Sequence, residues 1–166
     1  MLCLQAQKEF KFKLILLDNR EFKFSYKGLQ KCEQILIDVA KILNLEEKEY
    51  FGFRYIDSDL QSKWLDLNKT IQSQFKTLFV SENHEIVIHF CVKFYLTDPC
   101  KLTQELTRYL FYLQLRKDIL QGKLFVKFDF AVDLFSYFLQ GKSYVKNTNH
   151  ELYLYYFLIP RRTWWF

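Results

Sequence analysis

The chain has 166 residues, 50% of them hydrophobic and 19% aromatic, with four glycines, two prolines and a formal net charge of +5. Such a composition builds a buried core, excludes a disordered chain and leaves little room for a flexible linker, and the length suits one large domain or two small ones. The positive balance favours acidic partners such as anionic lipid, phosphorylated groups or nucleic acid, without choosing among them.

Cys3, Cys32, Cys91 and Cys100 form no C-x-x-C pair, so reduced cysteines of a cytosolic protein are expected, not disulfides or zinc. His84, His89 and His150 are scattered and lack metal-ligand spacing. The start, MLCLQAQKEF, is too short and too soon charged for a signal peptide. No stretch reaches the roughly 20 uninterrupted apolar residues of a membrane span.

Phe10-Lys11-Phe12-Lys13-Leu14 alternates apolar and charged residues, the pattern of a half-buried strand. Asp18-Asn19 turns the chain, and Phe22, Phe24 and Tyr26 alternate with Lys23 and Ser25 on the returning strand. After Gly28 the period becomes helical: Leu29, Cys32, Ile35, Leu36, Val39 and Leu43 form a stripe, which Asn44 ends in the left-handed region. Tyr50 to Ile56 returns to strand, Asp57-Ser58-Asp59 turns it, and Trp64-Leu65-Asp66-Leu67 is a short strand. Gln72 to Asn83 is predicted to be a surface loop. Ile86, Ile88, Phe90, Val92 and Phe94 then line one face of a last strand. The order β-β-α-β-β-β, with one helix covering a small mixed sheet, is an α+β fold of the ubiquitin-like β-grasp type, closing at about residue 95.

The longest helix lies between Val92 and Gly122. Asp98-Pro99 marks a turn before it, Thr103 is the expected N-cap, and Gly122 is a natural C′ residue. Leu106, Tyr109, Leu110, Leu113 and Leu120 share one face, and Phe111, Tyr112 and Leu115 make the middle apolar nearly all round. Such a helix, about 28 Å long, needs cover on more than one side. A second helix is predicted from Phe125 to Leu139, with Phe128, Val132, Phe135 and Leu139 on one face, ended by Gly141. Leu152 to Ile159 is a third, aromatic-rich segment stopped by Pro160.

Two stretches together resemble FERM domains of the band 4.1 superfamily. The first is Glu49-Tyr50-Phe51-Gly52, followed by Tyr55-Ile56-Asp57 and Trp64-Leu65-Asp66-x-x-Lys69-x-Ile71. The second is Val92-Lys93-Phe94-Tyr95-x-x-Asp98-Pro99, followed by Leu106-Thr107-Arg108-Tyr109-Leu110 and Leu113-Gln114-Leu115-x-x-Asp118-Ile119-x-x-Gly122-Lys123-Leu124. The match is closest to the band 4.1-like and FERM-domain-containing branch. It implies a ubiquitin-like first lobe over 8–95 and a partial, acyl-CoA-binding-protein-like helical second lobe over 96–166, with the family's third, PTB-like lobe absent. After Gly141 the match thins, so a truncated form is expected, with apolar surface open around Phe111, Tyr112 and Phe135.

The resemblance implies a non-catalytic scaffold at the cytoplasmic face of the plasma membrane. Its implied partners are cytoplasmic tails of membrane proteins or cytoskeletal proteins, with anionic lipid as a further contact and no cofactor. The sequence agrees in showing no Gly-rich phosphate loop, HExxH or triad motif. Ezrin-like members hold an inositol phosphate with lysines around the tryptophan turn. Asp59 and Asp66 occupy the matching positions here and only Lys69 keeps a cation, so that site is not expected. Candidate lipid contacts are Lys11, Lys13, Lys23, Arg20 and Lys27 on the first hairpin, worth roughly 1 kcal/mol per well-placed cation. The same lysines suit a sheet face kept soluble and unable to pair, the more usual reason for such a face on an antiparallel sheet. Arg161, Arg162, Trp164 and Trp165 could form an interfacial tail, or be a by-product of truncation. Two rival readings are a nucleic-acid binder with a basic aromatic β-surface and a regulatory fragment of a FERM-bearing tyrosine phosphatase.

Overall fold

The computed structural model describes residues 9–76 and 85–142. Strands β1 (Glu9–Ile15) and β2 (Glu21–Lys27) form the first hairpin, with Phe12 opposite Phe24 and Lys13 opposite Lys23. Asn19 takes the left-handed turn position at φ 65°, which asparagine tolerates better than most residues. Helix α1 (Glu33–Leu43) follows and ends on Asn44 at φ 53°, ψ 41°, as its sequence predicts; the Asn44 N–H closes on the Ala40 and Lys41 carbonyls. Leu29 departs from the predicted stripe: it precedes the helix and is 64% exposed. Fully buried Cys32 sits at the N-cap, where burial first and then the Asp66 carboxylate push its thiol up to about 12.

Strands β3 (Phe51–Ile56), β4 (Ser62–Trp64) and β5 (Ile86–Val92) complete a sheet ordered β2-β1-β5-β3-β4, parallel between β1 and β5 and antiparallel elsewhere. Alternate residues of the inner strands face α1, so Phe10, Phe12, Phe53, Ile88 and Phe90 meet Ile35, Leu36 and Val39 in one core. Two details differ from expectation. β4 pairs through Ser62–Trp64, earlier than the predicted Trp64 to Leu67. β5 stops at Val92 because the Lys93 and Phe94 N–H groups both donate to Tyr50 C=O, at 2.8 and 3.2 Å, which leaves Phe94 57% exposed.

The predicted loop from Gln72 is in part helix. Helix α2 (Ile71–Gln74) begins where Thr70 Oγ1 accepts the Ser73 N–H at 3.3 Å. Ile71 and Phe75, four residues apart, are both fully buried. Residues 77–83 of that predicted loop lie outside the described residues.

The long helix, α3 (Glu105–Leu120), has 16 residues and is thus about 24 Å long. Its buried positions are Thr107, Leu110, Phe111 and Gln114, a stripe rotated from the predicted one. Tyr109 is 49% exposed and Leu106 and Leu113 are half-buried. The expectation of open surface at Phe111 is therefore overturned: Phe111 is 7% exposed, with its ring edge-on to Tyr50, Phe51 and Tyr95 at 5.8–5.9 Å. At the other end Gly122, at φ +67°, closes the helix. Its N–H donates to Ile119 C=O at 3.0 Å and the Lys123 N–H to Asp118 C=O at 2.9 Å, the paired bonds of a Schellman motif.

The chain divides into two compact units, Met1–Gln114 and Leu115–Phe166. The first reaches past Tyr95 because Leu102, Leu110 and Phe111 belong to the same buried cluster as the sheet. The second holds the end of α3, the Gly122 turn and α4 (Phe128–Lys142). α4 starts later than Phe125 and runs through Gly141, which therefore does not end it. Along its first turns Phe128, Phe130 and Val132 are 71%, 64% and 50% exposed, and Phe125 before it is 93% exposed.

Candidate functional site

The four lysines of the hairpin share a face, while Arg20 lies in the turn between the strands. Lys11 and Lys13 alternate with the buried side chains of β1, and the register sets Lys13 opposite Lys23 and Glu9 opposite Lys27. The face is not a bare positive patch, however. Lys13 Nζ lies 2.9 Å from Glu21, Lys23 Nζ 3.1 Å from Glu85, and Arg20 Nε 2.6 Å from Asp18. Carboxylates paired with three of the five cations reduce the attraction that an anionic surface would feel.

A second surface gathers round Trp64. The Arg54 guanidinium lies 4.5 Å over the indole and Lys93 Nζ is 6.0 Å from it, so the ring sits in a cationic setting. Gly52 allows this packing: a Cβ there would come within 3.3 Å of both the Trp64 ring and the Lys93 side chain. Beside the indole an open cleft of about 390 Å3 is lined by Glu33, Trp64, Leu65, Asp66, Asn68 and Lys93 among others. Glu33 and Asp66 oppose a phosphate, and Lys69 is drawn to Asp66 at 3.5 Å. The neighbouring turn is held by Asp57, whose carboxyl is kept below its usual range by the Lys63 ammonium first and then by the Gln61 N–H.

The third feature is the start of α3. Glu47, from the loop after α1, accepts the Thr103 N–H at 3.1 Å, the Thr103 hydroxyl at 3.0 Å and the Gln104 N–H at 3.2 Å. Its carboxylate thereby caps a helix more than fifty positions away in sequence and stands at the positive pole of that helix. Gln104 returns the tie: its Nε2 donates to Asn44 C=O at 2.6 Å and its Oε1 accepts the Glu46 N–H at 3.0 Å. Desolvation pushes the Glu47 carboxyl up, but hydrogen bonds from Thr107, Thr103 and Gln104 outweigh it and hold the group below its usual range. Thr103 thus serves the cap as a donor, not as the predicted N-cap acceptor.

The motif residues sort by these contacts. Phe51 stacks on Phe90 at 4.9 Å, and the Leu65 N–H donates to Phe53 C=O at 2.8 Å. Asp98 accepts the Cys100 N–H at 3.0 Å across the 3₁₀ turn Pro99–Lys101. Arg108 donates to Leu102 C=O at 2.8 Å, and Gln114 Oε1 accepts the Val92 N–H at 3.3 Å beside fully buried Thr107. Tyr109 stacks on Tyr112 at 6.2 Å. The motif is thus largely a set of structural contacts. Sequence reasoning missed Glu47, Arg54 and Gln104; only a contact map signals the first and third. Arg161, Arg162, Trp164 and Trp165 lie outside the described residues. Among the described residues no group of three or more His, Cys, Asp or Glu side chains could hold a metal, and no helix is long and apolar enough to cross a membrane.

A β-grasp sheet leading into helices defines the class: a ubiquitin-like lobe followed by a helical one. The FERM N-terminal domain model matches residues 15–77 and the FERM central domain model residues 97–158. The chain belongs to the FERM domain family of the band 4.1 superfamily, as the Tyr50-Phe51-Gly52 and Trp64-Leu65-Asp66 motifs imply. It is 36% identical over 140 residues to Band 4.1-like protein 4A of Mus musculus, covering 81% of this chain and 20% of that protein. It is 39% identical over 130 residues to Band 4.1-like protein 2 of Mus musculus, covering 78% of this chain and 13% of that one. The solved FERM and C-terminal domain complex of Drosophila Merlin is similar with a TM-score of 0.71 at 26% identity, over 86% of this chain and 46% of that chain. The chain therefore spans a fifth or less of the curated relatives it matches.

Proposed function

We propose that this chain is the docking part of a band 4.1-type scaffold, working without catalysis at the cytoplasmic face of the plasma membrane. Its partners in this reading are cytoplasmic tails of membrane proteins or cytoskeletal proteins. The observation that carries the reading is the match of two FERM lobes, in family order, across most of the chain. The ion pairs of the first hairpin weigh for protein contact over lipid contact, because Lys13, Lys23 and Arg20 already have carboxylate partners. They weigh equally against a nucleic-acid binder, which needs an unbroken cationic track. No observation favours the phosphatase-fragment reading.

The test is flotation with vesicles, bare or carrying lipid-anchored cytoplasmic-tail peptides. The chain is expected to float with tail-bearing phosphoinositide vesicles and only weakly with bare ones. Retention on single-stranded DNA that salt abolishes, with no flotation on tail-bearing vesicles, would overturn the proposal.

A further inference from the structure

Strand β2 is an outer strand of the sheet, with β1 beside it on one side. At the hairpin end the Leu16 N–H donates to Arg20 C=O at 2.9 Å. Antiparallel bonding alternates from there, so Phe22, Phe24 and Tyr26 bond inward, while Glu21, Lys23, Ser25 and Lys27 aim their N–H and C=O groups outward. Gln30 occupies the outward groups of Lys27, whose N–H donates to Gln30 Oε1 at 2.7 Å and whose C=O accepts the Gln30 N–H at 3.0 Å. The outward backbone groups of Glu21, Lys23 and Ser25 meet no partner among the described residues.

Two further features flank that edge. On its core side a shallow apolar groove runs between β2 and α1, lined by Leu14, Phe22, Phe24, Val39, Ile42 and Leu43. The Phe22 and Phe24 rings stack at 6.3 Å and stay half-buried, and Ile42 is 49% exposed. On its outer side stand Lys23 and Lys27, and the Lys23 side chain is 73% exposed even while paired with Glu85.

We infer that the β2 edge and its groove form a strand-addition site for an extended peptide that alternates aliphatic and acidic residues. Backbone bonds to Lys23 and Ser25 supply the attachment, and the pleat sorts the side chains. Every second residue falls over Phe22 and Phe24, where an aliphatic side chain buries apolar surface. The intervening residues fall beside Lys27 and beside Lys23, whose exposed ammonium exchanges its Glu85 partner for a peptide carboxylate that the backbone bonds hold directly opposite it. The same lysines disfavour a second copy of this chain as the occupant, because two β2 edges paired across Lys23 would set like charges face to face. The inference rests on the docking reading above and gives it a surface and a ligand chemistry.

The test titrates the full chain into a fluorescent peptide of alternating aspartate with isoleucine or valine, read by anisotropy. Ser25→Pro removes an outward N–H while proline remains tolerable on an open edge. Lys23→Glu reverses the charge and, with circular dichroism confirming its fold, decides the matter if the proline variant does not fold. The expected result is saturable binding, weakened about tenfold or more by either variant, with slowed hydrogen exchange at the Lys23 and Ser25 amides. No saturation with the unsubstituted chain overturns the inference, as does equal binding by the folded variants or a dimer formed through β2. If tail-bearing vesicles still capture the chain when this peptide fails, the docking reading stands and only the β2 site falls; if neither binds, both fall.

Discussion

Replacing Glu47 by alanine should loosen the helix that ties the first unit together, and it should do so in a pH-dependent way. The carboxylate accepts two backbone N–H groups and one hydroxyl at 3.0–3.2 Å at the start of α3. Thr103 is exposed and Glu47 itself is half-buried, so water replaces the lost partner in part. The cost is therefore that of an N-cap, about 1 kcal/mol and at most about 2. Against a urea dependence of about 1–3 kcal/mol per molar, this lowers the unfolding midpoint by about 0.5 M, measured by far-ultraviolet circular dichroism. The folded-state hydrogen bonds from Thr107, Thr103 and Gln104 outweigh desolvation and lower the carboxyl's pKa. Its contribution is therefore complete above the unfolded glutamate value of about 4.3 and is lost as pH falls through the lower folded value. The gap between the unsubstituted chain and Glu47→Ala should be present at neutral pH and shrink in acid. A gap of the same size at both ends of that range, or none at neutral pH, would refute the capping role.

Three other substitutions test the packing. Phe111→Ala should cost about 3 kcal/mol by the same urea titration, because the buried ring meets Tyr50, Phe51 and Tyr95. Gly52→Ala should cost about 1 kcal/mol and displace the indole, since its Cβ would meet Trp64 and Lys93 at 3.3 Å; near-ultraviolet dichroism reports the shift. Leu60 is 86% exposed and held at φ 60°. Leu60→Gly should therefore raise the midpoint by the equivalent of about 0.5–1 kcal/mol, an unchanged or lower midpoint being the contrary result.

Local signals were read well where one short stretch decides the outcome. Asn44 ends α1 in the left-handed region, Gly122 closes α3, and the alternation of β1 gives its buried face directly. Periodicity failed where polar residues are buried: Thr107 and Gln114 belong to the inner stripe of α3 because Gln104 and the Val92 amide satisfy them. A count of apolar residues therefore turns the helix to the wrong face. The N-cap was misplaced for a related reason, since its acceptor is Glu47, distant in sequence. Thr70 with Ser73, then Ile71 with Phe75, did signal a short helix, but the polar residues between them read as loop. Of the proposed lipid face, the lysine alternation was legible, whereas its neutralisation by Glu85 depends on β5 lying parallel to β1.

The most direct measurement is a binding isotherm of the purified chain against fluorescent cytoplasmic-tail peptides at about 0.15 M salt. A docking module predicts saturation with at least one tail while that peptide is recovered chemically unchanged. Flat isotherms for every tail, or conversion of a bound peptide into product, would contradict the account.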